Sequence, residues 1–192
     1  EMFKNISKLD YKTKVDTQSS LLETKPRITL TDNYILIAPS TSDEKKNWTK
    51  ENFKLLAEKI SKQFPVYLLG TSSQSGYLSF ISDGMENVNN LAGKVTLAEC
   101  IYLIKHSSLF IGLDSGFTHI AELFSKPYIA IIGGGDFGRF FSYPSVYAHK
   151  YKFHQLSCFN CKWNCIYEEA YCISQVSVED VYQSCITMIE HV

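Results

Sequence analysis

The sequence predicts an α/β domain, in which a parallel sheet carries helices on both of its faces. Short, continuously apolar runs alternate with longer segments whose apolar residues recur at helical spacing. This alternation is typical of parallel sheets, because the connection between two parallel strands is usually a helix. Polar or glycine-rich pieces follow several of the apolar runs. In such sheets ligands bind beyond the carboxyl ends of the strands, so these pieces are the first candidates for a functional site.

Five short segments are predicted to be strands, and four of them are apolar runs typical of buried strands. Each is too short for a typical helix, and several stop at proline or glycine, as strands of a parallel sheet commonly do. In chain order the predicted strands are residues 34–38, 66–69, 88–91, 109–113 and 128–132.

Helices are predicted between and after these strands. A Ser or Thr side chain can accept a hydrogen bond from the first turn and so begin a helix, which is the role expected of Thr49, Thr96 and Ser177. Glu99 lies three residues after Thr96 and completes a capping box. A further helix is predicted to include residues 120–124, and a short amphipathic helix to include residues 2–9.

Composition limits the function classes. The chain has 192 residues and a formal net charge of −1, which gives no electrostatic reason to expect nucleic-acid binding. No apolar run approaches the roughly 18 residues of a membrane span, and no signal peptide is recognisable. A cytoplasmic protein is therefore expected. Because the chain begins with Glu1, we expect a fragment or processed product.

Three regions are predicted along the chain. Residues 1–33 are polar and irregular after the first helix and are interpreted as a linker. Residues 34–156 carry the alternating strands and helices, and residues 157–192 carry a cysteine-rich lid and the last helix.

The stretch from Asp114 to His119 is the most informative of the candidate sites. It lies between a predicted strand and a predicted helix, so it brings a carboxylate, a hydroxyl and an imidazole to the carboxyl end of that strand. Gly116 leaves room for a close ligand. The N-terminus of the following helix favours an anion, so a phosphate or diphosphate fits this corner. The alternative is a plain strand–helix connection in which Ser115 is an N-cap and Asp114 a turn residue.

The loop after the first strand is a second candidate for binding phosphate. Ser40 and Thr41 supply hydroxyl donors and Lys46 a positive charge. The alternative is a solvated loop, which is the interpretation favoured for the neighbouring Lys45. The glycine run 133–135 lacks the context of a dinucleotide fingerprint and is expected either to line a cleft or to form a flexible turn.

Four of the six cysteines cluster near the carboxyl terminus. The spacing begins as in many zinc sites, but it matches no standard zinc-finger or ferredoxin pattern. A structural zinc ion, one or two disulfides, and free thiols all remain open, and catalytic redox chemistry is not expected. The cluster consists of Cys158, Cys161, Cys165 and Cys172, whereas Cys100 and Cys185 are predicted core residues.

Taken together, these residues resemble glycosyltransferase family 9, the ADP-heptose:lipopolysaccharide heptosyltransferases. The resemblance covers most of residues 1–185 and depends on the order and spacing of several elements. They are Pro39-Ser40-Thr41, Lys46-Asn47-Trp48, a strand ending at Gly70, the segment 90–99, and Asp114-Ser115-Gly116 followed by His119. A cysteine-rich tail before the last helix is also common in the family.

The resemblance implies a GT-B fold, in which two Rossmann-like halves face a cleft, and identifies this chain as the carboxyl, donor-binding half. It implies that Ser40, Thr41 and Lys46 hold the diphosphate of a nucleotide-diphosphate sugar, which in this family is typically ADP-heptose. It further implies that the diphosphate and sugar contact Asp114, Ser115, Gly116 and His119, and that the adenine is bordered by Gly93, Thr96 and Leu97.

The resemblance also implies what lies outside this chain. The general base and the acceptor site belong to the amino half, so the fragment alone is expected to be inactive. The acceptor would be a lipid-linked glycan at the inner face of the inner membrane, where the enzyme would be peripheral. No metal is expected to be required for catalysis. Two alternatives are a nucleotide-sugar epimerase of GT-B type and a non-catalytic binding module with a zinc-stabilised lid.

Overall fold

The computed structural model describes residues 23–139 and 149–190. This part of the chain forms a sheet of six strands, in the order β3-β2-β1-β4-β5-β6, and every neighbouring pair is parallel. The strands are β1 (Ile35–Ala38), β2 (Val66–Leu68), β3 (Val88–Asn90), β4 (Leu109–Leu113), β5 (Tyr128–Ile131) and β6 (His149–Lys152). The helices are α1 (Lys50–Ser61), α2 (Ser75–Ser82), α3 (Leu97–His106), α4 (Gly116–Leu123), α5 (Tyr171–Ser174) and α6 (Val178–Ile189).

Helices cover both faces of the sheet, as predicted. Residues alternate along each strand, so Ile35 and Ile37 point to one apolar cluster while Leu36 and Ala38 point to another. The first cluster is completed by side chains of α1, α2 and α6, and the second by side chains of α3 and α4. The predicted α/β fold class is therefore confirmed.

The predicted helix starts are confirmed by hydrogen bonds. The side chain of Thr49 accepts a hydrogen bond from the backbone N–H of Asn52, and that of Ser177 from Asp180. Thr96 and Glu99 form the complete capping box. Leu97, the first residue of α3, is 65% exposed. The buried residues of α3 begin at Cys100, because the first turn lies beyond the apolar cluster.

Strand β6 and helices α2 and α5 were not predicted. The β6 sequence His-Lys-Tyr-Lys has no apolar run because it forms an edge of the sheet, where its residues are only half-buried. Helix α2 contains three serines and a glycine and buries only Leu78 and Ile81. The apolar periodicity that identifies a helix is correspondingly weak.

The strand order reverses direction between β1 and β4. From β1 the chain continues through α1, on the first face, to β2. From β4 it continues through α4, on the opposite face, to β5. The loops that leave β1 and β4 therefore diverge and leave a crevice at the carboxyl edge of the sheet. This is the topological position at which open α/β sheets bind their ligands.

The segment before β1 packs on the second face of the sheet. Ile28 and Leu30 contact the second apolar cluster, and Thr31 lies within hydrogen-bonding distance of the Tyr67 hydroxyl. The amphipathic helix predicted over residues 2–9 lies outside the described residues. Within the described ranges, no helix is both long enough and apolar enough to cross a membrane.

Candidate functional site

Four ionisable side chains, from the segments that follow β1, β4 and β5, meet at the crevice between β1 and β4. The imidazole Nε2 of His119 lies 3.9 Å from a carboxylate oxygen of Asp114. Burial raises the pKa of Asp114, while the positive charges of Lys46 and His119 act to lower it and Asp136 acts to raise it. The structure thus brings Lys46, predicted from the first loop, together with Asp114 and His119, predicted from the second.

The corner after β4 holds an unused hydroxyl. Ser115 occupies the N-cap position of α4 with an extended backbone, but its side chain makes no capping hydrogen bond. Its Oγ is buried and has no hydrogen-bond partner. A buried polar atom of this kind costs free energy unless something else satisfies it. The Ser115 hydroxyl is therefore better suited to binding a ligand than to capping the helix.

Thr118, which the sequence analysis did not single out, holds this corner in place. Its side chain is fully buried, and its Oγ1 donates a hydrogen bond of 2.5 Å to the carbonyl oxygen of Leu113. Gly116 does not adopt a left-handed conformation, and a Cβ at this position would contact no protein atom. The space in front of Gly116 is thus open to a ligand.

The loop after β1 combines one braced hydroxyl with one unpartnered hydroxyl. The Oγ1 and backbone N–H of Thr41 both donate to the Asn47 side-chain oxygen, at 2.9 and 2.8 Å. Asn47 is part of the family motif, and in the structure its side chain closes this loop. The Oγ of Ser40 is buried without a partner, as is that of Ser115. Ser40 is thus available to a ligand, whereas Thr41 shapes the loop.

The two adjacent lysines of this loop have different surroundings. Lys46 is half-buried, and its ammonium lies 5.3 Å from the centre of the Trp163 ring. Lys45 is exposed. Trp48, which follows them, is fully buried, and its Nε1 donates a hydrogen bond of 3.0 Å to the carbonyl oxygen of Val176. Trp48 therefore anchors the end of the loop.

The residues predicted to border an adenine lie beyond β3, farther along the same edge. Gly93 has a φ of 68°, and a Cβ there would lie 2.8 Å from the Cβ of Ser72, so the position requires glycine for structural reasons. The hydroxyl of Thr96 is engaged in the capping box. The exposed Leu97 side chain is available for contact. An adenine contact by these residues stays a prediction.

The glycine run after β5 is a docking strip for the cysteine-rich segment. A Cβ on Gly133 or Gly135 would collide with the ring of Trp163, and one on Gly134 with Phe159. The backbone N–H groups of Asn160 and Lys162 donate to the carbonyl oxygens of Gly134 and Gly135. The three glycines are thus required by close packing. This role differs from both the cleft lining and the flexible turn that the sequence suggested.

The four clustered cysteines line one small cavity beside Gly134. All are free thiols, as are Cys100 and Cys185, which are buried in the core as predicted. The Sγ of Cys172 accepts a hydrogen bond of 3.2 Å from the N–H of Gly134. Burial and the neighbouring thiols raise the pKa of Cys165. Among the residues that the structure describes, no three His, Cys, Asp or Glu side chains are grouped closely enough to hold a metal ion as they stand.

We expect Asp114→Asn to raise the thermal midpoint of the chain at pH 7. Burial raises the pKa of Asp114 above its ordinary value of 3.8, so its ionised form is less favourable in the folded than in the unfolded chain. The free energy of unfolding therefore falls as the pH rises from the ordinary pKa of Asp114 to its raised pKa in the folded chain. The advantage of the Asn variant should accordingly shrink in acid, as thermal melts at several pH values would show.

The matched control is Asp32→Asn, because Asp32 is exposed and its replacement should leave the midpoint unchanged. A lower midpoint for Asp114→Asn than for the parent chain at pH 7 would contradict the argument.

A family model described as glycosyltransferase family 9 (heptosyltransferase) matches residues 3–165. Lipopolysaccharide heptosyltransferase 1 of Campylobacter coli is 35% identical over 120 residues, which are 59% of this chain and 35% of that protein.

Two solved structures show the same fold. The ADP-heptose LPS heptosyltransferase II of E. coli superposes with a TM-score of 0.69 at 18% identity, over 86% of this chain and 49% of that one. An E. coli heptosyltransferase solved with ADP gives a TM-score of 0.67 at 17% identity, over 88% of this chain and 47% of that one. This chain therefore spans about half the length of these structures. Because the family model matches well over half of its residues, the chain belongs to glycosyltransferase family 9, the heptosyltransferase family.

Proposed function

We propose that this chain is the donor-binding half of an inverting heptosyltransferase of lipopolysaccharide synthesis, and that it binds ADP-heptose. The observation that carries the proposal is the pair of buried, unpartnered hydroxyls of Ser40 and Ser115. They belong to the two loops that border the crevice between β1 and β4. Support for the nucleotide comes from a structural relative that was solved with ADP.

A diphosphate would satisfy the groups that the crevice leaves unsatisfied. Its oxygens accept hydrogen bonds from hydroxyls, and its charge is attracted by Lys46 and by the N-terminus of α4. The sugar would lie beside Asp114 and His119, and the adenine toward Leu97. Asp114 would repel phosphate, which favours a contact between its carboxylate and sugar hydroxyls.

The proposed chemical task of this half is to stabilise the leaving group. Breaking the bond between sugar and diphosphate builds negative charge on the phosphate oxygens. A preorganised lysine, hydroxyls and helix N-terminus absorb this charge without reorganising at the moment of reaction. With this charge supplied by the protein, catalysis needs no metal ion in the proposal.

The other half of the enzyme would bring the acceptor and the general base. The acceptor is proposed to be a lipid-linked glycan at the inner face of the inner membrane, which would place the enzyme in the cytoplasm and close to that membrane. Nucleic acid is not a proposed partner.

Replacing Lys46 by Ala tests the diphosphate site. We expect this change to weaken ADP binding by about 1–3 kcal/mol, the range for a hydrogen bond to a charged group. Isothermal titration of the chain with ADP measures the effect. Lys45→Ala is the matched control. Because Lys45 is exposed, this variant should bind ADP with the affinity of the parent chain. Equal affinity of the Lys46→Ala variant and the parent would exclude Lys46 from the site.

The two-half arrangement predicts that this chain alone transfers no sugar. Positioning of the reactants contributes about 7–11 kcal/mol to catalysis, and neither half can provide it without the other. The assay supplies ADP-heptose and a lipopolysaccharide-core acceptor and monitors ADP release. Turnover above the uncatalysed rate would mean that the base and acceptor site lie within these 192 residues.

We further propose that the cysteine cluster binds a structural zinc ion. The support is that all four thiols line one cavity and that thiolates are strong ligands of zinc. A bound ion would have to draw the sulfurs closer together than they stand. We expect the reduced chain to carry about one zinc ion and to melt at lower temperature after chelation. Metal-free protein with four titratable thiols and an unchanged melting temperature would disprove the site.

A further inference from the structure

The cysteine-rich segment contacts the loop of the proposed donor site through the side chain of Trp163. This residue lies between Cys161 and Cys165, and its ring packs against Gly133 and Gly135 of the glycine strip. Its Nε1 donates a hydrogen bond of 3.1 Å to a carboxylate oxygen of Asp136. Packing and a directional hydrogen bond together fix the plane of the ring.

The fixed ring is a surface on which the Lys46 ammonium rests. The distance from the Lys46 Nζ to the ring centre is 5.3 Å, within the range of a cation–π interaction. A lysine on an otherwise open loop samples many rotamers, because its four-carbon stem is flexible. Contact with a rigid aromatic face restricts that sampling. The contact with the ring also competes with the electrostatic attraction between the Lys46 ammonium and the Asp114 carboxylate.

The backbone around Trp163 is unusual in a way that supports a built position. Asn160, Lys162 and Trp163 all have left-handed backbone conformations, with φ values of 67°, 52° and 63°. Residues other than glycine adopt this conformation at a cost in free energy. A segment that holds three such residues within four positions is over-determined by its surroundings, as functional segments often are.

We propose that Trp163 is a positioning residue for Lys46, so that the cysteine-rich segment forms one wall of the donor diphosphate site. Trp163 acts through Lys46 and not by touching the diphosphate. The inference rests on the proposed function, since it assigns Lys46 to the diphosphate. It gives the segment a part in donor binding that is independent of whether its cysteines hold a metal ion.

A double-mutant cycle of Trp163 and Lys46 tests the proposal, with ADP affinity as the measurement. Trp163→Leu should weaken ADP binding about three- to tenfold, in keeping with the strength of a cation–π contact. In the Lys46→Ala background the same change should have little further effect, because the side chain that it positions is gone. Trp163→Phe retains an aromatic face and should recover part of the affinity.

Tryptophan fluorescence gives a second measurement, and a Trp163 side chain that only stabilised the fold would not change its emission when ADP binds. ADP should perturb the emission of the parent chain, because phosphate charge bound by Lys46 changes the electric field at the neighbouring Trp163 ring. The Trp163→Phe variant should lose this response, although Trp48 is still present and buried. Tyr167→Leu is the matched control, because Tyr167 is a half-exposed aromatic residue of the same segment and should leave ADP affinity unchanged.

The outcomes separate this inference from the proposed function. If Lys46→Ala weakens ADP binding but neither Trp163 variant does, the diphosphate site stands and the positioning role is wrong. If the losses from Trp163 and Lys46 are fully additive, Trp163 acts without Lys46 and the inference is equally overturned. If Lys46→Ala itself has no effect, both fail. Thermal melts identify a variant that has lost its fold, in which case Trp163→Phe alone decides.

Discussion

The register between β1 and β4 is the constraint on which the rest of the site depends. These strands pair in parallel with Ala38 opposite Gly112, so Ser40 and Asp114 each follow two residues after the last pair. The two loops therefore leave the sheet at the same level before α1 and α4 carry them to opposite faces. Gly112 permits this geometry, because a Cβ there would lie 2.9 Å from the Thr118 hydroxyl that ties α4 to its strand.

A consequence of this register is that the site contains polar groups whose burial is not compensated by hydrogen bonds or charges within the protein. The carboxylate of Asp114 is partly desolvated, and the hydroxyls of Ser40 and Ser115 have no partner although both are buried. Each of these features lowers the free energy of unfolding of the chain. Preorganisation of this kind would spare the proposed donor complex the cost of reorganising the site. The buried core on both faces of the sheet can tolerate the loss, since the stability of the fold resides mainly there.

Much of the fold was predictable from the sequence, and the parts that were not share a physical reason. The strands that form the middle of the sheet are buried on both faces and consist of apolar runs, and helices with a Ser or Thr cap begin where expected. The edge strand β6 and helix α2 bury few residues and leave little pattern. Lys46, Asp114 and His119 were singled out by the spacing of their motifs, and the structure brings them together. Their role in binding a ligand stays a prediction. The structural roles of Thr118 and Asn47 were not predicted, because a sequence does not show which of its polar side chains hydrogen-bond to one another.

The role of the glycine run was unpredictable for the same reason, since it depends on rings that lie some 25 to 30 positions later in the chain. Trp48 shows the principle over a greater separation, because its indole bonds to Val176, 128 residues farther on. The loop that carries Lys46 is thus held by the segment just before the last helix. During synthesis the sheet can begin to assemble once β4 has emerged, but this loop cannot be locked until Val176 has left the ribosome. The crevice between β1 and β4 is among the last parts of the domain to become rigid, and contacts of such long range slow folding.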